Sequence, residues 1–307
     1  MHSNPGKIHA LLSTARVANI PSVVSNVWVG VAMGLSFWWV HQDQSGFQIV
    51  TISHPFFLIA SGICLYVFGN FLNDWKDRDW DKIHRPERAL PSGMFRSGTY
   101  LWVAIFLAAA GFAMALAVNH AAGMVALAII GCVVVYTVWH KEKAWSVVFM
   151  GLCRGFLPLL GASVIHPALW LAAVCGAALC CYIMGLSLSA RAESKGEITG
   201  GALRVSRVLW VVAGLMMLGP HLWFSRYSWL LCLAAMAYAG WLALCLTRFR
   251  SPVPRHVSAL LAGIPLLDWI FLLPLMATRG PVEVMSAVIP PLAFVSALLL
   301  QRLAPAT

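Results

Sequence analysis

Along this chain apolar residues run for about twenty positions at a time, and polar residues collect in the gaps between runs. Ten such runs can be marked, at roughly 19–40, 54–73, 99–118, 121–139, 145–165, 168–188, 207–224, 228–246, 257–277 and 284–302. About 20 apolar residues in a helix cross the hydrocarbon core of a bilayer. Inside lipid the backbone must satisfy its own hydrogen bonds, so each run reads as a helix; barrel strands would alternate apolar and polar positions instead. The pattern predicts an all-α polytopic membrane protein of nine or ten transmembrane helices. The last run decides between the two counts.

Composition supports this reading. Of 307 residues 60% are hydrophobic and 10% charged, and mean hydropathy is +0.80. A soluble domain carries about 25% charged residues, so most of the outer surface here must face lipid. The run from Asn19 to Val40 is longer than a signal-peptide core and reads as a retained first span. Eight cysteines lie within apolar segments with no C-x-x-C pair, which suits small buried side chains and implies neither a disulfide framework nor a zinc site.

The net charge of +10 changes the picture only through its placement. If all ten runs cross, one side collects the N-terminus and loops 74–98, 140–144, 189–206, 247–256 and 303–307, together with Arg302. Counting the helix-end Arg207 as well, that side holds 18 of the 21 Lys and Arg, while Arg226 and Arg279 fall on the other and Arg154 within a span. By the positive-inside rule the rich side is cytoplasmic, as expected in a bacterial inner membrane. The charge then has a topological cause, and no nucleic-acid partner is expected. A single transmembrane domain over 1–307 is expected. Its two long cytoplasmic loops, 74–98 and 189–206, each follow an even-numbered span. That offset suggests an internal repeat of roughly helices 2–4 and 6–8.

Those two loops hold seven of the eleven acids: Asp74, Asp77, Asp79, Asp81, Glu87, Glu193 and Glu197. If the second helix continues past the membrane surface, Asn70, Asn73, Asp74, Asp77 and Asp81 fall within an arc of about 100°, and Asp79 lands opposite. Three carboxylates and two amides on one stripe repel unless a cation neutralises them. An all-oxygen set without His or Cys suits Mg²⁺, which commonly binds through a few carboxylates plus substrate phosphates. Lys76, Arg78, Lys82, Arg85 and Arg88 sit alongside. A solvated charged loop is the competing reading.

The pattern Asn73-Asp74-x-x-Asp77-x-x-x-Asp81, followed by Arg85-Pro86 and Leu90-Pro91-Ser92-Gly93, resembles the first signature of the UbiA superfamily of intramembrane prenyltransferases. The resemblance implies a helical ring around a central cavity, with two acidic motifs facing each other. It implies that Asn73, Asp74, Asp77 and Asp81 hold Mg²⁺ and the diphosphate of an isoprenoid diphosphate, with Arg85 as a phosphate partner. The family's second motif, D-x-x-x-D with a Lys two residues on, is only partly matched. Glu193 and Lys195 fit, Ser189 occupies the place of the first Asp, and Glu197 lies four residues beyond Glu193. Glu193 and Glu197 are thus candidate metal ligands, and Arg191 or Lys195 candidates to grip the leaving diphosphate. The stretches Arg16–Asn26, Tyr136-x-x-Trp139-His140-Lys141, Met150–Arg154 and Ala190–Ser194 resemble the UbiA-like proteins of the bacterial Ebo-type operon.

Arg154 and Asp268 are expected inside the membrane, where a charge is costly and normally has a partner or lines a wet cavity. Each lies about ten residues from the cytoplasmic end of its span. They are expected to face each other across the cavity, either binding an acceptor or forming a structural ion pair. Asn26, Asn70 and Tyr182 complete the candidate substrate-binding set with Asn73, and His140 is expected at the surface. The resemblance implies Mg²⁺-dependent transfer of a prenyl group from an isoprenoid diphosphate to an aromatic or other small polar acceptor. The alternative is a membrane binding or transport protein that keeps the fold without chemistry. A CDP-alcohol phosphotransferase is excluded, since the chain has no D-G-x-x-A-R run.

Overall fold

The computed structural model describes residues 6–41, 53–164, 169–194, 200–224, 228–274 and 282–304. Their regular structure is entirely helical: α1 (Lys7–Thr14), α2 (Ile20–His41), α3 (Ser53–His84), α4 (Ser97–Val118), α5 (His120–Trp139), α6 (Val147–Ala162), α7 (Leu169–Ser194), α8 (Gly200–Phe224), α9 (Ser228–Thr247), α10 (Val253–Ala262), α11 (Ile264–Leu272) and α12 (Glu283–Leu300), with single 3-10 turns at Val17–Asn19 and Ala144–Ser146. Among the described residues nine segments are long and apolar enough to cross a membrane, and Val284–Leu300 is a shorter apolar helix. The chain is a multi-pass membrane protein. Its outward faces are apolar, as Trp102, Phe106 and Met124 show on α4 and α5.

Two helices depart from the simple run pattern in ways that shape the interior. The 32-residue α3 is roughly 48 Å long at 1.5 Å per residue, against a hydrocarbon core of about 30 Å. Its C-terminal turns therefore stand beyond the membrane and carry Asp74, Asp77 and Asp81. The ninth run, expected unbroken over 257–277, is instead divided at Gly263 into α10 and α11. Pro265 in the first turn of α11 has no N–H to continue the ladder and disfavours helical backbone before it.

The rear wall is α2 against α6, with α7 packed behind α6. Small residues set these spacings. A Cβ on Gly30 would lie 1.9 Å from the Pro158 carbonyl oxygen, and one on Gly161 would lie 2.0 Å from that of Val27. Gly176 approaches the Gly155 carbonyl in the same way, at 2.2 Å. Close backbone contact is what holds helices together where lipid removes the hydrophobic incentive.

Candidate active site

The stripe expected on α3 forms. Asn70, Asp77 and Asp81 are buried, whereas Asp79 points outward and pairs with Lys82 at 2.9 Å and Arg78 at 3.6 Å. Each inward carboxylate meets bases from elsewhere in the chain. Asp77 contacts Lys141 at 2.7 Å and His140 Nε2 at 3.2 Å. Asp81 accepts from Arg88 at 2.9 Å, and Asp74 lies between Arg88 at 3.4 Å and Arg16 at 3.7 Å. His140, expected at the surface, is therefore part of the site. The turn after α5 folds its ring over α3, and its Nδ1 faces the Thr137 carbonyl.

The carboxylates are thus engaged by cations, and among the described residues no three His, Cys, Asp or Glu side chains converge as a metal cage. The chemistry of the donors nonetheless fits Mg²⁺. Among the described residues the buried Asn73 Oδ1 has no hydrogen-bond partner, its Nδ2 lies 3.4 Å from Asp77 Oδ2, and Asp74 adjoins it in sequence. An unpartnered amide oxygen beside two carboxylates is a hard-oxygen donor set of the kind Mg²⁺ takes.

Asn73 and the bases Arg16, Arg88 and His140 line a cavity of about 460 Å³, while the Asp74, Asp77 and Asp81 carboxylates that those bases engage are not among its lining residues. Arg16, Asn70, Asn73, Arg85, Arg88, His140 and Arg191 line its mouth, and Leu65, Ile129, Val133, Leu157, Ile183 and Val257 belong to its apolar walls. Arg16 reaches the mouth because its backbone takes a left-handed conformation, φ 46°, between α1 and the turn before α2. Such a conformation is uncommon outside glycine and needs support from its surroundings. Asn70 supplies it, accepting from Arg16 Nη1 at 2.8 Å and donating to the Ala15 carbonyl at 3.1 Å.

Arg85 stands apart from the other cations of the mouth. It is exposed in the loop after α3, and among the described residues its side chain makes no hydrogen bond or ion pair. Partial desolvation, and then the nearby Arg88, push its guanidinium pKa down from the ordinary value. It remains a cation crowded by cations, which is how a site for a multiply charged anion is built. Arg191 is engaged differently. It donates to the carbonyls of His140 and Lys143 and to Ser146 Oγ, tying α7 to the loop before α6.

The second acidic motif is only partly in view. Lys195 and Glu197 lie outside the described residues, and of Glu193 only the backbone is described. Ser189 is fully buried, with no partner for its hydroxyl among the described residues, and is not part of the cavity wall. The cavity face of α7 carries Ile183, Leu186, Ser187, Ala190 and Arg191. Tyr182 lies off that face, seven residues from Ser189. It is not a cavity residue as expected: its hydroxyl donates to the Leu260 carbonyl at 2.7 Å and its ring packs near Trp210 and Tyr238.

Deeper in the cavity, the expected pairing of Arg154 with Asp268 is corrected. No ion pair joins them. Asn26 stands between, accepting from Arg154 Nη1 at 3.0 Å and donating to Asp268 Oδ2 at 2.7 Å. Ser25 donates to the same carboxylate oxygen at 2.6 Å, and Ser22 Oγ accepts from Arg154 at 3.1 Å. A Cβ-short amide on α2 thus reaches both charges where the two charged side chains do not reach each other. Of the three, only Arg154 lines the cavity.

Sequence reasoning set Arg88 alongside the acidic stripe but did not place Arg16 or His140 in the site. Arg16 and His140 contact residues 54 and 63 positions away, a separation that local periodicity does not encode.

The model of the UbiA prenyltransferase family matches residues 27–264. The chain is 34% identical over 111 residues to the digeranylgeranylglyceryl phosphate synthase of Thermococcus gammatolerans, covering 36% of this chain and 39% of that protein. It is 25% identical over 250 residues to the protoheme IX farnesyltransferase of Macrococcus caseolyticus, covering 73% and 76%. The chain therefore spans about two-fifths of the first relative and three-quarters of the second. A solved structure of a UbiA homolog from Archaeoglobus fulgidus, bound to DMAPP and Mg²⁺, superposes with a TM-score of 0.53 at 15% identity, over 94% of this chain and 98% of that one.

Proposed function

Since the chain belongs to the UbiA prenyltransferase family, we propose that it transfers a prenyl group from an isoprenoid diphosphate to a small acceptor inside the membrane, with Mg²⁺ as cofactor. The observation that carries this reading is the union of an apolar cavity with a mouth where hard oxygens and cations meet. The homolog bound to DMAPP and Mg²⁺ supports it by fold.

Asn73, Asp74 and Asp77, with Asp81 behind them, would hold the ion, and Glu193 and Glu197 are candidates for further ligation. Bound there, Mg²⁺ neutralises diphosphate charge as a Lewis acid. Arg85 is free to take phosphate oxygens directly. Arg88, Arg16 and Lys141 hold the carboxylates until an ion replaces them, and can then turn to the diphosphate. Lys195 and Arg191 flank the leaving group from the α7 side. The apolar walls keep the prenyl tail from water. The C1–O bond breaks with its electron pair on pyrophosphate, the acceptor's nucleophile bonds to C1, and the displaced proton leaves to pyrophosphate or water. Fixed charges aimed at the developing anion lower the barrier to that first step.

The distribution of Lys and Arg supports a bacterial inner-membrane location with the acidic loops cytoplasmic. Affinity with the Ebo-type UbiA-like proteins rests on the four stretches named above. The test is pyrophosphate release by protein in nanodiscs offered prenyl diphosphates, Mg²⁺ and native metabolite extract, with products read by mass spectrometry. Metal-dependent release with a prenylated product supports the proposal. Tight binding of prenyl diphosphate without release under any extract would make the chain a carrier.

A further inference from the structure

The bases on the mouth side of the membrane fall into two groups. Up to Lys195, Lys and Arg are mixed and stand among acids, as in the pairs Lys141 with Asp77 and Arg88 with Asp81. Beyond Glu197 every base is an arginine, and the two remaining acids are elsewhere: Asp268 is buried within a span and Glu283 opens α12 at its far end. Arg204, Arg207, Arg248, Arg250, Arg255 and Arg302 are left on the mouth side without an acid. All six are exposed, and among the described residues none makes a hydrogen bond or ion pair through its side chain.

The fold gathers four of them into one corner. α9 runs toward the mouth side and α10 away from it, so Arg248, Arg250 and Arg255 lie about the short connection from Thr247 to Val253. The Arg255 guanidinium rests 4.8 Å over the ring of Phe249, which stands between Arg248 and Arg250 in the chain. His256 Nδ1 faces the Cys245 carbonyl at 3.0 Å, closing α10 against the end of α9. The C-terminus of α12 arrives at the same place: Gln301 donates to the Ser258 carbonyl at 2.9 Å, and Arg302 is next in the chain. Orienting the chain in the membrane needs positive charge on one face but neither arginine alone nor its convergence at one corner. Like charges brought together without acids repel, and a bound anion removes that cost. The guanidinium fork matches phosphate oxygens in pairs, which an ammonium does not. Basic pockets between transmembrane helices at the membrane surface take anionic headgroups. Leu303, 65% exposed beside Arg302, offers the apolar contact that a lipid also needs.

We propose that this corner binds the headgroup of an anionic phospholipid of the surrounding leaflet, with Arg248, Arg250, Arg255 and Arg302 around its phosphate. The lipid then ties α9, α10 and α12 together at their ends. α10 also carries Val257 and Leu261 of the cavity wall, so the headgroup steadies that wall from outside.

The test is native mass spectrometry of the delipidated full chain in detergent, titrated with phosphatidylglycerol or phosphatidylcholine and read as the dissociation constant of the first lipid bound. Wild type should bind phosphatidylglycerol at least tenfold more tightly than phosphatidylcholine. The triple variant Arg248→Gln, Arg250→Gln, Arg255→Gln should cut that preference below threefold. A control triple on α3, Lys76→Gln, Arg78→Gln, Lys82→Gln, removes the same charge from the same membrane face and should keep the preference within twofold of wild type. Lys at 248, 250 and 255 together retains the charge without the fork; that variant should fall between, and it carries the test if the Gln variant does not fold. Equal binding of the two lipids by wild type, an equal loss in the α3 control, or a full preference in every corner variant that folds would overturn the proposal. Displacement of the bound phosphatidylglycerol would do the same: by unreactive geranyl thiodiphosphate with Mg²⁺ it would give the corner to a prenyl diphosphate, and by an oligoglutamate peptide to an acidic protein.

Discussion

Replacing Arg85 and Arg88 by Gln, one at a time, separates two roles that share one cavity mouth. The residues are three apart and carry the same charge, yet only Arg88 is committed in the resting protein. It is bonded to Asp81, whose side chain is 2% exposed, and lies 3.4 Å from Asp74. Removing the guanidinium leaves a buried carboxylate without its cation. Breaking a fully buried pair costs about 3–5 kcal/mol; Arg88 is itself 22% exposed, so about 2–3 kcal/mol is the appropriate estimate. Arg85 has no such bond to lose, and Arg85→Gln should leave stability within about 0.5 kcal/mol of wild type. What it loses is a charged hydrogen bond to diphosphate, about 1.5–3 kcal/mol, or roughly 10- to 100-fold in affinity. Thermal unfolding in nanodiscs reads the first quantity, and calorimetric titration with geranyl thiodiphosphate and Mg²⁺ reads the second. Wild-type affinity in Arg85→Gln, or a stability loss equal to that of Arg88→Gln, would refute the assignment of Arg85 as the free phosphate ligand.

Other outcomes follow from the same contacts. Asp77→Ala should reduce pyrophosphate release by more than about 100-fold while Asp79→Ala, on the exposed side of α3, stays within about threefold; equal losses in a turnover assay would defeat the one-face arrangement. Asn26→Leu leaves Arg154 and Asp268 buried with one bond fewer each and should cost about 2–4 kcal/mol in thermal unfolding, more than the ~0.6 kcal/mol average of interhelical bonds in membranes. Chelation of Mg²⁺ should abolish calorimetric binding of geranyl thiodiphosphate, and unchanged affinity would remove the ion from the site.

The α3 stripe could be read from sequence because it depends only on helical periodicity: Asn70, Asp77 and Asp81 turn inward and Asp79 outward as their spacing requires. The nine spans were legible for a similar reason, since long apolar runs in lipid admit one backbone solution. Arg88 was visible beside the stripe, seven residues from Asp81, but Arg16 and His140 were not, because they arrive from loops whose paths no short-range pattern fixes. Tyr182 shows the opposite error. Nearness in sequence to the α7 motif placed it in the site, but its phase is that of Ser189, and both face neighbouring helices rather than the cavity. Arg154 and Asp268 were recognisable as costly, yet the amide between them belongs to a third helix, and composition says nothing of that geometry.

The contact between Gly30 and Gly161 bears on how the protein accommodates its substrates. There α2 and α6 meet main chain to main chain, with no side chain in the gap that could change rotamer and give way. Ser22, Asn26 and Arg154 are mounted on those same two helices. That side of the chamber is therefore an anvil. Molecules of differing bulk must be admitted by yielding elsewhere in the wall, where Leu65, Ile129, Val133 and Val257 line the cavity. Variants that retune which prenyl chain fits should accumulate among those four residues, and the position of Arg154 should stay the same from one to the next.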